Sequence, residues 1–277
     1  MFIWLASYPK SGNTMVRALL SSYFFSKDGI FDFEIIKNIK QFPNKALFIK
    51  NKVNILNEKE VIKNYLKVQK SFNIKNSIQF LKTHSYLFNI ENNPFTKLEY
   101  SLGAIYIVRD PRNVVLSNSN HNSQTYEKSA EDLIKGNVLN DEKNVKVYPG
   151  TWNGNFNSWK SFKLVNKYLL IKYEDMVSDK DKTFYEILKF IHSIKKVEFV
   201  LNKKKFMNVL ESTDFERMQK LENEYGFEES MIKKKTGKKV KFFNLGKKTN
   251  WKNKLSDSVK NQIEKAFKNE MIELGYL

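Results

Sequence analysis

The chain has 277 residues, of which 41% are hydrophobic and 14% aromatic, enough to build a large buried core. It contains no cysteine, which excludes disulfides, thiolate metal ligands and a cysteine nucleophile. The sequence has neither the roughly 18 consecutive apolar residues of a membrane span nor a secretory leader, so we expect a cytoplasmic protein without a membrane span.

The net charge of +18 and the placement of histidine and arginine narrow the choice of ligand. His84, His121 and His192 do not cluster in the sequence, and we expect no metal site. The lysine runs carry no interleaved aromatic residues that could stack on bases, which favours small anionic ligands over nucleic acid. Two of the few arginines, Arg109 and Arg112, share the tetrapeptide "RDPR", which indicates a need for a planar, forked cation.

The first predicted unit is a strand, a turn and a helix. "MFIWLASY" predicts a short buried strand, and "TMVRALLSSYFF" has apolar residues at helical spacing. Backbone amides and hydroxyls in the turn between them could hold a phosphate at the helix N-terminus. In the usual triphosphate loop the lysine follows the last glycine, whereas Lys10 precedes Ser11 and Gly12 here. An ordinary loop with a helix cap at Asn13 or Thr14 is the alternative.

A second strand is predicted by "SIQFLKTHS", after a lysine- and asparagine-rich region (26–77) of helices and loops over the core. His84 follows Lys82 by two residues at the end of this strand. It is a candidate general base, because histidine titrates near neutral pH. A structural role is the alternative for any single histidine, and we favour it for His121 and His192.

The stretch "GAIYIVRDPRNVVLSNSN" predicts a strand over 104–108, a turn and a helix. Arg109 at the strand end and Ser117 in the helix could bind one phosphate, the arginine through paired charge-assisted hydrogen bonds and the serine through its hydroxyl. The alternative is an ordinary helix start at "DP", with a surface ion pair between Asp110 and Arg112.

Further along the chain, "KYLLIKYEDM" predicts another buried strand, "DKTFYEILKFI" an amphipathic helix, and residues 256–277 a last surface helix. Strands that alternate with helices indicate an α/β fold with a central parallel sheet flanked by helices. We expect one domain over 1–277. The polar groups after the strands should meet in one crevice at the carboxyl edge of the sheet.

Six segments, in chain order, resemble the sulfotransferase family of the bacterial and cytosolic type, which uses 3′-phosphoadenosine 5′-phosphosulfate (PAPS) as donor. They are "YPKSGNTMVRALL", "FLKTH", "IVRDPRNVVLSNSNH", "KYEDM", "ESTDFERM" and "GKKTNWKN". The resemblance implies a sulfuryl transfer to an acceptor hydroxyl or amine, with a P-loop-like strand, loop and helix that bind the phosphosulfate and with no metal.

The resemblance also implies a role for each matching residue. His84 would deprotonate the acceptor, while Lys10 and Lys82 neutralise charge near the transferred group. The remaining residues would bind the donor: Lys10, Ser11, Gly12, Asn13 and Thr14 at the 5′-phosphosulfate, Arg109 and Ser117 at the 3′-phosphate, and Met15, Tyr173, Thr213 and Gly246 elsewhere on the nucleotide.

Three departures from the family pattern keep other functions open. Met15 stands where the family often has a tryptophan, Asn244 and Leu245 replace a common Arg-Lys pair, and "KNKLSDSVKN" does not reproduce the dimerisation motif of animal enzymes. A catalytically degenerate relative, a triphosphate-dependent kinase and an anion or nucleic-acid binder are the alternatives. The acceptor, a small molecule, lipid or carbohydrate, and the oligomeric state are not fixed by the sequence.

Overall fold

The computed structural model describes residues 1–73, 78–140, 145–232, 239–243 and 250–277. The strands are β1 (Phe2–Ser7), β2 (Lys40–Gln41), β3 (Gln79–Thr83), β4 (Asn89–Ile90), β5 (Asn93–Pro94), β6 (Ser101–Val108), β7 (Asn137–Leu139), β8 (Val147–Gly150), β9 (Tyr168–Lys172), β10 (Met231–Ile232) and β11 (Lys239–Val240). The α-helices are α1 (Asn13–Phe25), α2 (Lys45–Lys50), α3 (Glu58–Lys63), α4 (Tyr65–Phe72), α5 (Pro111–Asn122), α6 (Tyr126–Lys135), α7 (Trp152–Lys160), α8 (Tyr173–Ser178), α9 (Lys180–Lys195), α10 (Lys203–Ser212), α11 (Phe215–Tyr225), α12 (Asp257–Ala266) and α13 (Lys268–Glu273). Short 3₁₀ helices cover Ile35–Asn38, Ser161–Val165 and Trp251–Asn253.

A parallel sheet of five strands, in the order β2-β3-β1-β6-β9, forms the centre of the molecule. Four of its strands are those that the sequence predicts, and the α/β fold with a central parallel sheet is confirmed. The fifth, β2, is an edge strand of two polar residues that pairs with β3. It is too short and too polar to show the apolar run by which a buried strand is recognised.

Both faces of the sheet are buried, and alternate residues of strand β1 pack on the two faces. Phe2 and Trp4 pack into the core on one face, which α7, α12 and α13 cover. Ile3 and Leu5 pack on the other face, against α1, α9 and α10. Because side chains alternate along a strand, a continuous apolar run is what a strand covered on both faces requires.

The chain changes direction across the sheet at β1, since β3 and β6, which both follow it in sequence, lie on its two sides. In open parallel sheets, ligands bind beyond the carboxyl ends of the strands at such a point. Ala6 lies opposite both Thr83 and Tyr106, and Val108 opposite Lys172, so the segments after these four strands start from one edge.

The C-terminal region differs from the expectation of one last helix. It forms α12 and α13, with a break at Phe267, whose ring is buried against Trp152 of α7. Among the described residues, no helix combines the length and the apolar character needed to cross a membrane.

Candidate functional site

The loop after β1 is anchored so that its backbone faces the crevice. The Asn13 amide donates to the Leu5 carbonyl (2.9 Å) and to Ser7 Oγ (3.2 Å), which fixes the start of α1 to the end of β1. Lys10 and Gly12 both have positive φ, 67° and 100°. A Cβ on Gly12 would lie 2.5 Å from the Tyr173 ring, so only glycine fits between the loop and α8.

Several polar atoms around this loop are buried and lack a hydrogen-bond partner among the described residues. They are Ser11 Oγ, Asn13 Oδ1, Arg17 Nε and Arg109 Nε. Buried polar atoms are normally paired, so a cluster of unpaired ones indicates a missing polar ligand. Ser11 Oγ, Arg17 Nε and Arg109 Nε can donate to an anion beside a helix N-terminus, whereas Asn13 Oδ1 can only accept a hydrogen bond.

Arg109, at the end of β6, faces the same crevice as Lys10. Its Nη1 donates to the Lys10 carbonyl (3.1 Å), and its guanidinium lies 4.1 Å above the Tyr173 ring at the end of β9. The side chain is buried. Three strand ends therefore converge here, as the alternation of strands and helices predicts.

His84 faces this crevice from the end of β3 in a defined orientation. Its Nδ1 lies 3.0 Å from the Ser7 carbonyl oxygen. A carbonyl only accepts hydrogen bonds, so Nδ1 carries the proton and the lone pair is on Nε2. Burial, together with the charge of Lys82, lowers the pKa of His84 to about 3. The expected titration near neutral pH is wrong for the free protein, because the imidazole is held neutral.

Lys10 and His121 lie near each other across the crevice, with Phe242 between them. Lys10 Nζ is 4.4 Å from the centre of the Phe242 ring, and the His121 ring is nearly perpendicular to that ring, with the ring centres 6.3 Å apart. Burial is the largest cause that lowers the pKa of Lys10, to about 8, and Lys82 and Arg109 add to it. Burial and the charge of Lys10 lower the pKa of His121 to about 4. His121 therefore borders the crevice.

Ser117 is on the face of α5 that turns toward the C-terminal region. Asn113, Ser117 and His121 are four residues apart and share one face of the helix. The Asn113 side chain accepts from the Trp251 amide (3.1 Å), and His121 contacts Phe242. Ser117 is partly exposed between these two contacts. Gly246, like Asn244 and Leu245, lies outside the described residues.

A small cavity of about 60 Å³ lies beside Tyr173. Met15 lines it, at the position where the resemblance places the adenine, together with Met176, Asp214 and Phe215. Thr213 is fully buried, and its hydroxyl donates to the Val209 carbonyl of α10 (2.7 Å). The two residues that follow Thr213, and not Thr213 itself, line the cavity.

A residue that the sequence did not single out occupies the centre of the site. The Glu229 carboxylate accepts from Arg17 Nη1 (2.5 Å), from Lys82 Nζ (3.1 Å) and from the Thr14 hydroxyl (3.0 Å). Burial alone would raise the pKa of Glu229, but Lys82 and Arg17 hold it well below its usual range. These partners are between 147 and 215 residues away in the chain, which no local motif reports.

The chain matches known proteins in sequence and in fold. The family model described as the sulfotransferase domain matches residues 2–275. The chain belongs to this family. Sulfotransferase 2A1 of Rattus norvegicus is 28% identical in an alignment of 187 residues, which covers 64% of this chain and 60% of the rat protein. The match thus spans less than two thirds of that relative's length.

Solved structures share the fold of this sulfotransferase domain. Retinol dehydratase in complex with retinol and PAP has a TM-score of 0.64 at 17% identity, over 98% of this chain and 81% of that chain. The same enzyme with androsterone and PAP has a TM-score of 0.60 at 18% identity, over 98% and 80%. A mouse sulfotransferase complexed with PAP has a TM-score of 0.55 at 19% identity, over 98% of this chain and 84% of the mouse chain.

Arg112 of the sulfotransferase domain is structural and is not part of a surface ion pair, which corrects that alternative. Both Asp110 and Arg112 are buried, and the pair lies 2.8 Å apart. The guanidinium also donates to Glu264 (2.6 Å) and stacks 4.0 Å from the Trp251 ring. It thereby ties α12 to the start of α5. Within the described ranges no group of three histidine, aspartate or glutamate side chains could hold a metal ion.

Proposed function

We propose that this sulfotransferase domain moves a sulfuryl group from PAPS to an acceptor hydroxyl or amine by in-line displacement, with His84 as general base. The observation that carries the proposal is the hydrogen bond from Arg109 to the Lys10 carbonyl, which joins two predicted anion-binding groups in one crevice. PAP in three structures of two proteins of the same fold supports PAPS as the donor.

The buried unpaired atoms support a division of the donor site into two ends. Ser11 Oγ lies, with Asn13, in the loop proposed for the 5′-phosphosulfate, and Arg109 Nε lies at the proposed 3′-phosphate end. Lys10, Gly12 and Thr14 complete the first end and Ser117 the second, while Met15 and Tyr173 border the proposed adenine site. Contacts from Thr213 and Gly246 remain predictions.

The proposed chemistry follows from the protonation states. Neutral His84 removes the acceptor proton with Nε2 as the acceptor oxygen bonds to sulfur, while the bond from sulfur to the 5′-phosphate oxygen breaks. Lys10 and Lys82 neutralise the charge on the departing phosphate. Sulfuryl transfer resembles phosphoryl transfer in that positioning and charge stabilisation supply most of the catalysis. We propose that no metal takes part.

The broader setting is also a proposal. Retinol and androsterone, bound by a protein of this fold, are small hydrophobic alcohols, and we propose a small-molecule, lipid or carbohydrate acceptor. We further propose a single domain over 1–277, a cytoplasmic location and no nucleic-acid partner.

Calorimetry with adenosine 3′,5′-bisphosphate (PAP) tests the donor assignment. We expect PAP to bind, and Arg109→Ala to weaken binding by about 1.5–3 kcal/mol, the value of a hydrogen bond to a charged group. Arg217→Ala, which removes an equal charge from an exposed site on α11, should leave the affinity unchanged. Equal affinities for the wild type and Arg109→Ala would remove Arg109 from the site.

Ligand-induced thermal shifts separate the other functions. A triphosphate-dependent enzyme would be stabilised by ATP with magnesium, and a nucleic-acid binder by nucleic acid, in preference to PAP. A degenerate relative would bind PAP but transfer no label from PAPS to any member of an acceptor library. We expect that PAP stabilises the protein and that the protein transfers label from PAPS to at least one acceptor.

A further inference from the structure

Glu229 occupies a place that the proposed function reserves for the donor. Two of its three partners, Thr14 and Lys82, are residues assigned to the 5′-phosphosulfate end. We propose that the Glu229 carboxylate is a resident anion that fills this subsite in the free protein, and that the donor displaces it and takes over its partners, including Arg17. This inference rests on the proposed function.

The geometry of the contact is that of a bound oxyanion. One carboxylate oxygen, Oε1, accepts from both Arg17 and Lys82, while Oε2 accepts from Thr14. The side chains of the two cations are each only 8% exposed. Charge-assisted hydrogen bonds from buried cations are strong, and a phosphate or sulfuryl oxygen can accept them equally well.

The carboxylate has room to leave, whereas Arg17 has further contacts that hold it in place. Glu229 is 28% exposed and lies in the turn after α11, beside an open cleft of about 380 Å³ that it lines with Phe33 and Glu228. Arg17 is held by further hydrogen bonds to the carbonyls of Ile36 and Ile39. Displacement of Glu229 would therefore leave a preformed cation in place for the incoming anion.

Charge explains why the free protein needs such an occupant. Lys10, Arg17, Lys82 and Arg109 surround the crevice, and three of them are buried. Without a counter-charge these cations would repel one another in a region from which water is largely excluded. Glu229 compensates them when no donor is bound, and the same negative charge opposes donor binding.

The test is PAP binding to Glu229→Gln, with Glu228→Gln as a matched control. Both changes remove one negative charge, but Glu228 pairs only with exposed Lys37 among the described residues (3.3 Å). We expect Glu229→Gln to bind PAP at least tenfold more tightly than the wild type and Glu228→Gln to stay within twofold. Equal or weaker binding by Glu229→Gln would overturn the inference.

Two further measurements separate exchange from a purely structural role. Without ligand, Glu229→Gln should melt at a lower temperature than the wild type. Saturating PAP should raise the melting temperature of Glu229→Gln by more than it raises that of the wild type. A lower melting temperature without this larger rise contradicts the inference. In a crystal structure of the wild-type PAP complex, Arg17 should contact a ligand oxygen and no longer Glu229. Glu229 still paired with Arg17 in that complex would also overturn the inference.

If Glu229→Gln does not fold, Glu229→Asp serves in its place. The shorter side chain keeps the charge but cannot reach all three donors, and we expect PAP affinity between that of the wild type and the tenfold gain; unchanged affinity contradicts the inference. A wild type that does not bind PAP at all would instead refute the proposed function.

Discussion

The protonation of His84 is set by one backbone atom. The Ser7 carbonyl fixes the proton on Nδ1, and burial beside Lys82 keeps the ring neutral, with a pKa of about 3. A base that is neutral at every working pH is always available, although a low pKa in the free enzyme also makes it a weak base. The Glu229 carboxylate already offsets part of the Lys82 charge in the free protein, so burial remains the largest cause of the low pKa.

Replacement of His84 by alanine should separate catalysis from binding. We expect kcat to fall by about 10²- to 10⁴-fold, the usual contribution of a positioned general base, while PAP affinity stays unchanged. Steady-state kinetics and calorimetry on the same preparation measure the two effects. His192→Ala is the control, because this ring packs against Phe199, away from the crevice. Near-normal turnover of His84→Ala would exclude the assigned role.

Lys10 should make donor binding depend on pH. Its pKa of about 8 in the free protein means that it loses its charge in the mildly alkaline range. A bound anion stabilises the charged form and raises this pKa, so binding takes up a proton and the affinity falls as the pH rises above 8. We expect PAP affinity to decline from pH 7.5 to 9.5 in the wild type but not in Lys10→Met. A flat wild-type profile would contradict this.

At the scale of single residues, the sequence predicts the groups that follow strand ends and misses those that reach the site from elsewhere. Lys10, His84 and Arg109 could be identified because each follows a buried strand in a polar turn. Glu229 could not, since it comes from a turn after α11 and meets its partners only through the tertiary fold. The lowered pKa of His84 could not be predicted from the sequence either, because it depends on how deeply the folded chain buries the ring.

The loop between β1 and α1 shows at the scale of elements why one backbone conformation matters. Gly12 at φ 100° lets the chain turn into α1, and the Tyr173 ring occupies the space that a Cβ at this position would need. This contact joins the loop to the end of β9, so the proposed phosphosulfate loop and the residues beside Met15 are positioned by the same packing.

Gly12→Ala should therefore lower the unfolding free energy by more than the backbone strain of a left-handed residue alone. Gly275 also has a positive φ of 68°, but a Cβ there would meet only Lys172 Nζ at 3.8 Å. We expect Gly275→Ala to lower the unfolding free energy by about 1–2 kcal/mol, the left-handed strain alone, without effect on PAP binding. Gly12→Ala should lose more stability and bind PAP weakly, as urea unfolding and calorimetry would measure. Equal behaviour of the two variants would contradict the packing argument.

Elements with a strong apolar pattern could be predicted, and those held by long-range contacts could not. β1, β6 and α9 have continuous or periodic apolar residues that report burial locally. The edge strand β2 exists only because β3 offers it a partner, and the break between α12 and α13 occurs where Phe267 packs against Trp152 of α7. Neither pairing partner is near in sequence.

At the scale of the whole molecule, the positive crevice sets the response to acid. His84 and His121 border the crevice and are held neutral in the folded state, with pKa values of about 3 and 4. In the unfolded chain both should titrate near 6.5. Between pH 6.5 and about 4 the unfolded chain therefore binds more protons than the folded one, and stability falls as the pH falls. Carboxylates with lowered pKa values, such as Glu229 and Glu131, cause a further loss of stability below about pH 4.5, because they take up protons more readily in the unfolded chain.

This two-stage loss of stability can be measured by urea unfolding at pH 7, 5.5, 4.5 and 3.5. We expect the wild type to lose stability already between pH 6.5 and 4.5, with a slope that approaches about 1.4 kcal/mol per pH unit for each histidine. A His84→Gln, His121→Gln double variant should lose this early stage and keep the later one. If the double variant and the wild type have the same slope above pH 4.5, the crevice histidines are not held neutral by the fold.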